Sequence, residues 1–378
     1  MSRAAVLGLE DGSTWWGEAF GDASPAAGEV VFNTAMTGYQ EIASDPSYNG
    51  QLVVLTYPLV GSYGVFARAA ESRRPWVEAL IVRELNTTCR EGTDDLDAYL
   101  RSNGVPGLAG IDTRALVRRL RSAGTMRGVI LQVAPHLAQD PDIGREAVAK
   151  AHAAAPLSGR PLVAEVGGGA REVGSGPKVA LVDTGVKENQ VRELVRRGAT
   201  VRMFPVTAPA REVLGWSPDG IVVTNGPGDP ASVPQVTATV RTLLDASLQR
   251  GAAGRPLPLL GICLGHQLIA RCVGGTTSRL RFGHHGANHP VQDVRTGKVV
   301  ITSQNHEFQV DEGSIRPETD FVVSARNLND GSVEGLAHRT LPIRTYQYHP
   351  EGAPGPRDNE PVFDSFLADV RAAIARRG

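Results

Sequence analysis

Apolar residues fall in short runs, and the runs change character near the middle of the chain. Beyond residue 177, β-branched runs alternate with helical patterns. Lys178–Asp183 (KVALVD) reads as a strand, Asn189–Arg197 as a helix closed by Gly198, and Thr200–Phe204 as a second strand. Gly220–Thr224 (GIVVT) and Leu257–Ile262 (LPLLGI) read as buried strands on either side of a helix over Thr237–Gln249. Strands alternating with helices predict βαβ units and a parallel sheet. After residue 298 strands follow in quick succession, at Val299–Ser303, Phe321–Ala325, Val333–His338 and Ile343–Tyr348, which predicts an antiparallel extension. Pro361–Arg376 predicts a helix with Phe363, Phe366, Leu367, Val370 and Ile374 on one face.

The upstream half is patterned less clearly. Ala4–Leu9, Ser13–Phe20 and Glu29–Asn33 read as short strands and Thr113–Ala123 as an amphipathic helix, giving a mixed α/β domain over 1–150. Gly167–Pro177 (GGGAREVGSGP) has no apolar periodicity and reads as a linker. The expected division is therefore 1–150, a linker region over 151–177, and a second domain over 178–378. No internal repeat is found.

Composition adds limits. At roughly 150 residues per domain, 378 residues suit two domains. Charge is balanced, 39 Lys+Arg against 40 Asp+Glu, without the basic footprint of a nucleic-acid binder. No apolar run approaches the ~18 residues that cross a bilayer. The apolar stretch Ala4–Leu9 is followed at once by Glu10 and Asp11, unlike a signal peptide. An odd set of three cysteines, Cys89, Cys263 and Cys272, is no disulfide framework and points to a reducing cytosol.

Cys263 stands out from the other two. The apolar strand runs directly into Gly261-Ile262-Cys263-Leu264-Gly265, and a helix pattern follows. This is the strand–turn–helix frame of a nucleophile elbow with Cys in place of Ser. The tight turn demands flanking residues without bulk. A thiol at its tip sits at a helix N-terminus, where the macrodipole favours the reactive thiolate. The N–H of Leu264 would then serve as an oxyanion donor. Taken alone, the spacing also suits a buried small hydrophobe. Cys272 lies well into the helix and Cys89 in a polar segment, and neither has this frame.

A thiol nucleophile needs a base and the base an orienter. His349-Pro350-Glu351 supplies both, two residues apart and so on one side of an extended chain. Asn225-Gly226-Pro227-Gly228-Asp229-Pro230 follows the strand Gly220–Thr224, where open α/β sheets form their ligand crevice.

Together GICLGHQ, NGPGDP and HPE resemble a class I, triad-type glutamine amidotransferase domain. The N-terminal segments GEVVFNTAMTGYQEIASDPS (Gly28–Ser47), TYPLVG (Thr56–Gly61) and IDTRAL (Ile111–Leu116) resemble the small, glutamine-hydrolysing chains of carbamoyl-phosphate synthases, as do FGHHGANHPV (Phe282–Val291) and SQNH (Ser303–His306). The fold this implies is α/β, with a mixed α/β N-terminal domain. A class I amidotransferase domain with a mostly parallel central sheet and helices on both faces follows it. The resemblance makes Cys263 the nucleophile, His349 the base and Glu351 its orienter. It assigns glutamine contacts to Ser47, Gly226, Gly228, Leu264, Gln267, Asn305, Glu307 and Phe308. It implies release of ammonia from glutamine in the cytoplasm and its delivery through a tunnel to a large partner chain. That partner would handle ATP, Mg and bicarbonate, make carbamoyl phosphate, and feed arginine and pyrimidine synthesis. No cofactor and no metal are implied on this chain, and the spacing of His284, His285 and His289 fits no familiar zinc pattern. The absence of a G-x-x-x-x-G-K-[ST] loop agrees with ATP belonging to the partner.

Two positions depart from the family pattern. Glu307 stands where a glycine is usual, and Asp183-Thr184-Gly185 lacks the usual central Phe. Three rival functions are open to such a chain. An amidotransferase serving another synthetase would carry a different companion domain. A non-catalytic regulatory subunit would have lost Cys263, His349 or Glu351, and a free cysteine hydrolase would leave the N-terminal domain without a task.

Overall fold

The computed structural model describes residues 3–88 and 94–376. Cys89 lies outside the described residues. The chain forms two compact units, Met1–Arg160 with Arg281–Gly286, and Pro161–Leu280 with Ala287–Gly378. No helix of the described residues is long and apolar enough to cross a membrane.

The first unit contains strands β1 (Arg3–Leu9), β2 (Thr14–Gly21), β3 (Ala26–Asn33), β4 (Gln51–Leu55), β5 (Leu59–Val60), β6 (Ala79–Ile81), β7 (Glu84–Leu85), β8 (Pro106–Ala109) and β9 (Met126–Val133). Its helices are α1 (Tyr39–Ser44), α2 (Leu96–Ser102), α3 (Thr113–Ala123) and α4 (Pro141–Ala153). The strands close a barrel in the order β1-β2-β8-β6-β4-β3-β9, with β5 and β7 as a separate pair. The period-two pattern of β1 sorts its side chains. Ala5, Leu7 and Leu9 join Val30, Phe32, Leu52 and Val54 in one core, while Val6 packs with Ala147 and Ala151 of α4 in another. Helix α3 starts where the sequence places it, with Asp112 accepting from the Ala115 N–H, and gives Leu116 and Leu120 to the barrel core. Barrel closure is not legible in the sequence, because β6 and β8 are only three and four residues long and β8 opens on Pro106.

The second unit contains α5 (Leu162–Val166), β10 (Arg171–Gly174), β11 (Lys178–Asp183), α6 (Glu188–Arg196), β12 (Thr200–Pro205), α7 (Ala210–Gly215), β13 (Gly220–Val223) and α8 (Pro234–Ala252). Then follow β14 (Leu259–Ile262), α9 (Leu264–Cys272), β15 (Thr277–Asp293), β16 (Val299–Val310), β17 (Phe321–Asn327), β18 (Val333–His338), β19 (Ile343–Tyr346) and α10 (Pro361–Ala375). They build one sheet in the order β10-β12-β11-β13-β14-β19-β18-β16-β15-β17. The centre from β12 to β19 is parallel, and β18 pairs antiparallel with both β19 and β17. The parallel core and the antiparallel extension agree with the sequence pattern.

Alternate residues of the central strands serve opposite faces. Ala180, Val182, Ile221 and Val223 meet α7, α8 and α9, whereas Val179, Leu181, Val222 and Ile262 meet α6 and α10. Helix α10 buries Phe363, Phe366, Leu367 and Val370 as expected, but Ile374 is 36% exposed and Ala373 takes the inward position. In the segment expected as a linker, Arg171–Gly174 forms an antiparallel edge strand on β12, and Leu162–Val166 is helical. Four residues between glycines are too few to show a period.

Gly8 of β1 faces the backbone of α4: a Cβ there would lie 2.5 Å from the Ala147 carbonyl carbon. Gly8→Ala is therefore expected to cost about 1–3 kcal/mol, read as a lowered denaturant midpoint. Gly169→Ala, with nothing within 4 Å and no positive φ, is the control for loss of a glycine without a clash.

Candidate active site

Strand β14 ends at Ile262 and α9 begins at Leu264, so Cys263 alone makes the turn. Its backbone sits at φ 52° and ψ −104°, a conformation that L residues avoid. Two glycines permit it. A Cβ on Gly265 would stand 2.1 Å from the Val223 carbonyl oxygen, and one on Gly261 would stand 2.6 Å from Ile269 Cδ1. The Cys263 N–H donates to the Tyr346 carbonyl at 2.8 Å, tying the elbow to β19. The thiol is 2% exposed, with Sγ 3.5 Å from the Asn305 carbonyl oxygen.

His349 follows β19, and its N–H donates to the Ser303 carbonyl of β16 at 2.9 Å. Its Nδ1 lies 2.7 Å from Glu351 Oε1, as the two-residue spacing predicts. Nε2 makes no hydrogen bond of normal geometry among the described residues. Burial would drive the imidazole downward, but the Glu351 carboxylate overrides it, and the Cys263 sulfur adds to the rise, holding the ring at about 10. For Glu351, burial would push the carboxyl up, and Lys187 with His349 pulls it down to about 2. The carboxylate thus favours the charged form of the imidazole.

Lys187 was invisible to sequence reasoning. It is 1% exposed, and its Nζ lies 3.2 Å from Glu351 Oε1. The same short segment supplies Asn189, whose Nδ2 donates to the Glu351 carbonyl at 2.7 Å. A lysine next to a helix start normally reads as a solvated cation; only the fully buried carboxylate opposite it reveals a partner. The departure at Thr184 has a structural reason as well. Its hydroxyl bonds the Thr224 and Asn225 carbonyls, both at 2.9 Å, and so fastens the loop that carries Gly226 and Gly228.

Of the expected glutamine contacts, seven lie in the second unit. Leu264 follows Cys263, and neither its N–H nor that of Gly226 has an acceptor among the described residues. Gln267, one turn into α9, donates through Nε2 to the Phe308 carbonyl at 2.9 Å and to Gln347 Oε1 at 3.1 Å. Asn305, Glu307 and Phe308 lie along β16, and Glu307 pairs with Arg279 at 3.5 Å. Ser47 belongs to the first unit, in a 3-10 turn where its N–H donates to Asp45 Oδ1 at 2.9 Å. His285, one of the three clustered histidines, stacks on Tyr48 in that unit at 5.8 Å.

His266 neighbours the elbow and is fully buried. Its Nδ1 meets Thr345 Oγ1 at 2.7 Å, and burial depresses the ring to about 3. Folded His266 is neutral, so the stability it confers is complete above the unfolded value near 6.5 and is lost as pH falls toward 3. Between pH 7 and pH 4 the loss is expected to be on the order of 3 kcal/mol. Urea unfolding of the wild type and of His266→Leu across this range checks it: the variant's pH slope should be shallower. Lys187→Met, which takes one of two cations from a buried carboxylate, is expected to cost about 3 kcal/mol; a change below about 1 kcal/mol in the same assay would remove Lys187 from the ionic cluster.

Comparison with known proteins agrees in both halves. Residues 7–130 match the family "Carbamoyl-phosphate synthase small chain, CPSase domain", and residues 180–368 match "Glutamine amidotransferase class-I". The chain is 49% identical to the carbamoyl phosphate synthase small chain of Symbiobacterium thermophilum, over 98% of this chain and 99% of that one. It is 47% identical to the small chain of Bacillus caldolyticus, over 98% and 97%. A Bacillus subtilis relative named carbamoyl phosphate synthase pyrimidine-specific small chain is 45% identical, over 97% and 95%.

Proposed function

The chain belongs to the family of carbamoyl-phosphate synthase small chains, with a class I glutamine amidotransferase domain, and from this we propose that it hydrolyses glutamine through a cysteinyl thioester at Cys263. The observation that carries the reading is the strained Cys263 elbow electrically coupled to a His349 ring held by Glu351. The Cys263 thiolate attacks the side-chain carboxamide carbon of glutamine. The N–H groups of Leu264 and Gly226 receive the oxyanion, each worth on the order of 3 kcal/mol. Protonated His349 gives its proton to the departing nitrogen, and ammonia leaves as the thioester forms.

The same ring then serves as base. Part of its high pKa comes from the charge on Cys263, and that charge is gone in the thioester. The imidazole is therefore less basic when it must take a proton from water. Hydroxide equivalent attacks the thioester, glutamate departs, and thiolate and imidazolium are restored. Acid and base roles alternate without movement of the ring.

The ammonia passes through an internal tunnel to a large ATP-dependent chain that supplies ATP, Mg and bicarbonate chemistry. There it becomes carbamoyl phosphate for arginine and pyrimidine synthesis, in the cytoplasm. Glutaminase activity of the purified chain, alone and with its large chain plus ATP and bicarbonate, tests this. Strong stimulation with carbamoyl phosphate formation is expected. Cys263→Ser should lower glutamine-dependent synthesis by about a thousandfold or more and leave ammonia-dependent synthesis intact. Glutamine hydrolysis persisting in that variant overturns the mechanism; turnover indifferent to the large chain overturns the coupling.

A further inference from the structure

Behind the β16 edge lies a line of buried polar side chains that the mechanism does not use. Glu334 of β18 is 0% exposed, and its Oε2 accepts from Gln304 Nε2 at 2.9 Å. Its Oε1 accepts from Asn327 Nδ2, also at 2.9 Å. Gln304 Nε2 makes a second bond to Thr302 Oγ1 at 3.0 Å. A carboxylate only accepts, so it fixes which end of the Gln304 amide is nitrogen. Gln304 Oε1 must then face the other way, and it lies 2.9 Å from His306 Nε2. The second ring nitrogen, Nδ1, lies 2.8 Å from the Phe308 carbonyl oxygen. Both partners of the ring are acceptors, so both nitrogens must donate.

We propose that Glu334 is a positioning residue for glutamine: through Gln304 it holds His306 as an imidazolium whose Nδ1–H fixes the Phe308 carbonyl, and with it the Asn305–Phe308 edge. The buried positive ring and the buried carboxylate balance one another, with a nitrogen of the buried His284 ring within 4.8 Å of both. The Phe308 carbonyl takes a second bond from Gln267 Nε2, so the relay joins β16 to the elbow helix. With both its amide hydrogens engaged at Phe308 and Gln347, Gln267 keeps its carbonyl end for substrate. The inference rests on the glutamine-hydrolase reading above, since it assigns this edge to substrate binding. Glu334 is remote from the bond-making atoms and should act on binding, not on chemistry.

The test uses the complex of this chain with its large chain. In Glu334→Gln the carboxylate that balances the imidazolium is lost, and an NH2 turned toward Gln304 makes that amide turn as well, so His306 loses a proton. Glutamine KM is expected to rise about tenfold, the worth of one misplaced hydrogen bond, with kcat within about twofold and ammonia-dependent synthesis unchanged. The swap Glu334→Gln/Gln304→Glu reverses the relay with every donor satisfied, and should restore KM to within about threefold of wild type. An unchanged KM, or a proportional loss of kcat that the swap does not rescue, overturns the proposal. Imidazole 15N spectra of the wild-type chain at neutral pH decide independently of folding in the variants. Two N–H signals lost in His306→Asn are expected, and a neutral His306 ring overturns the relay. If the wild type itself releases no ammonia from glutamine, the hydrolase reading fails, while these spectra still judge the charge relay.

Discussion

The backbone at Cys263 has no freedom to be otherwise. A residue at φ 52° and ψ −104° carries about 1–3 kcal/mol of strain, and the surrounding bonds must hold it there. The hydrogen bond to Tyr346, the close passage of Gly265 beneath Val223 and the packing of Ile269 against Gly261 do so. These contacts come from β13, β14, β19 and α9, the centre of the parallel sheet. The elbow therefore depends on strand order, and strand order depends on the two apolar faces that alternate residues of β11, β13 and β14 present to the helices. Hydrophobic patterning far from the thiol thus fixes the angle at which it is displayed.

Charge imposes the second constraint. His349 and Glu351 are each 1% exposed, as is Lys187, and three ionic groups cannot be dried one at a time. Lys187 moderates the pair from both sides, lowering Glu351 and also lowering His349. Without it the carboxylate would act on the imidazole unopposed, and in the proposed mechanism a more basic ring would surrender its proton to the leaving nitrogen less readily. In the proposed mechanism, a cation on the far side of Glu351 thereby tunes the acid.

Much of this was legible in the chain. β11, β18 and α3 occupy the residues that the pattern marks, and the His349–Glu351 hydrogen bond follows from a two-residue spacing. Local periodicity carries such information. What it does not carry is closure and pairing at a distance: the barrel of the first unit joins strands through residues with no common pattern, and the edge strand at Arg171–Gly174 borrows its order from β12. Lys187 and Glu334 were missed for a related reason. A buried charge is written in the sequence with the same letter as a solvated one, and only its burial against a partner distinguishes them.

Glu307 shows how a departure from a family pattern is absorbed. A glycine at such a position suggests a backbone that only glycine can adopt. Here the residue lies inside β16, and it is not among the described residues with positive φ. Extended backbone suits glutamate as well as glycine, so what the larger side chain needs is a place for its carboxylate. Arg279 of β15 provides one, with its guanidinium also 6.0 Å from the Phe308 ring. The charge is drawn along the sheet toward the neighbouring strand, and the main chain between Asn305 and Phe308 keeps the extended form that both the thiol and the Gln267 amide engage. The substitution changes the decoration of the edge and leaves its hydrogen-bonding geometry in place.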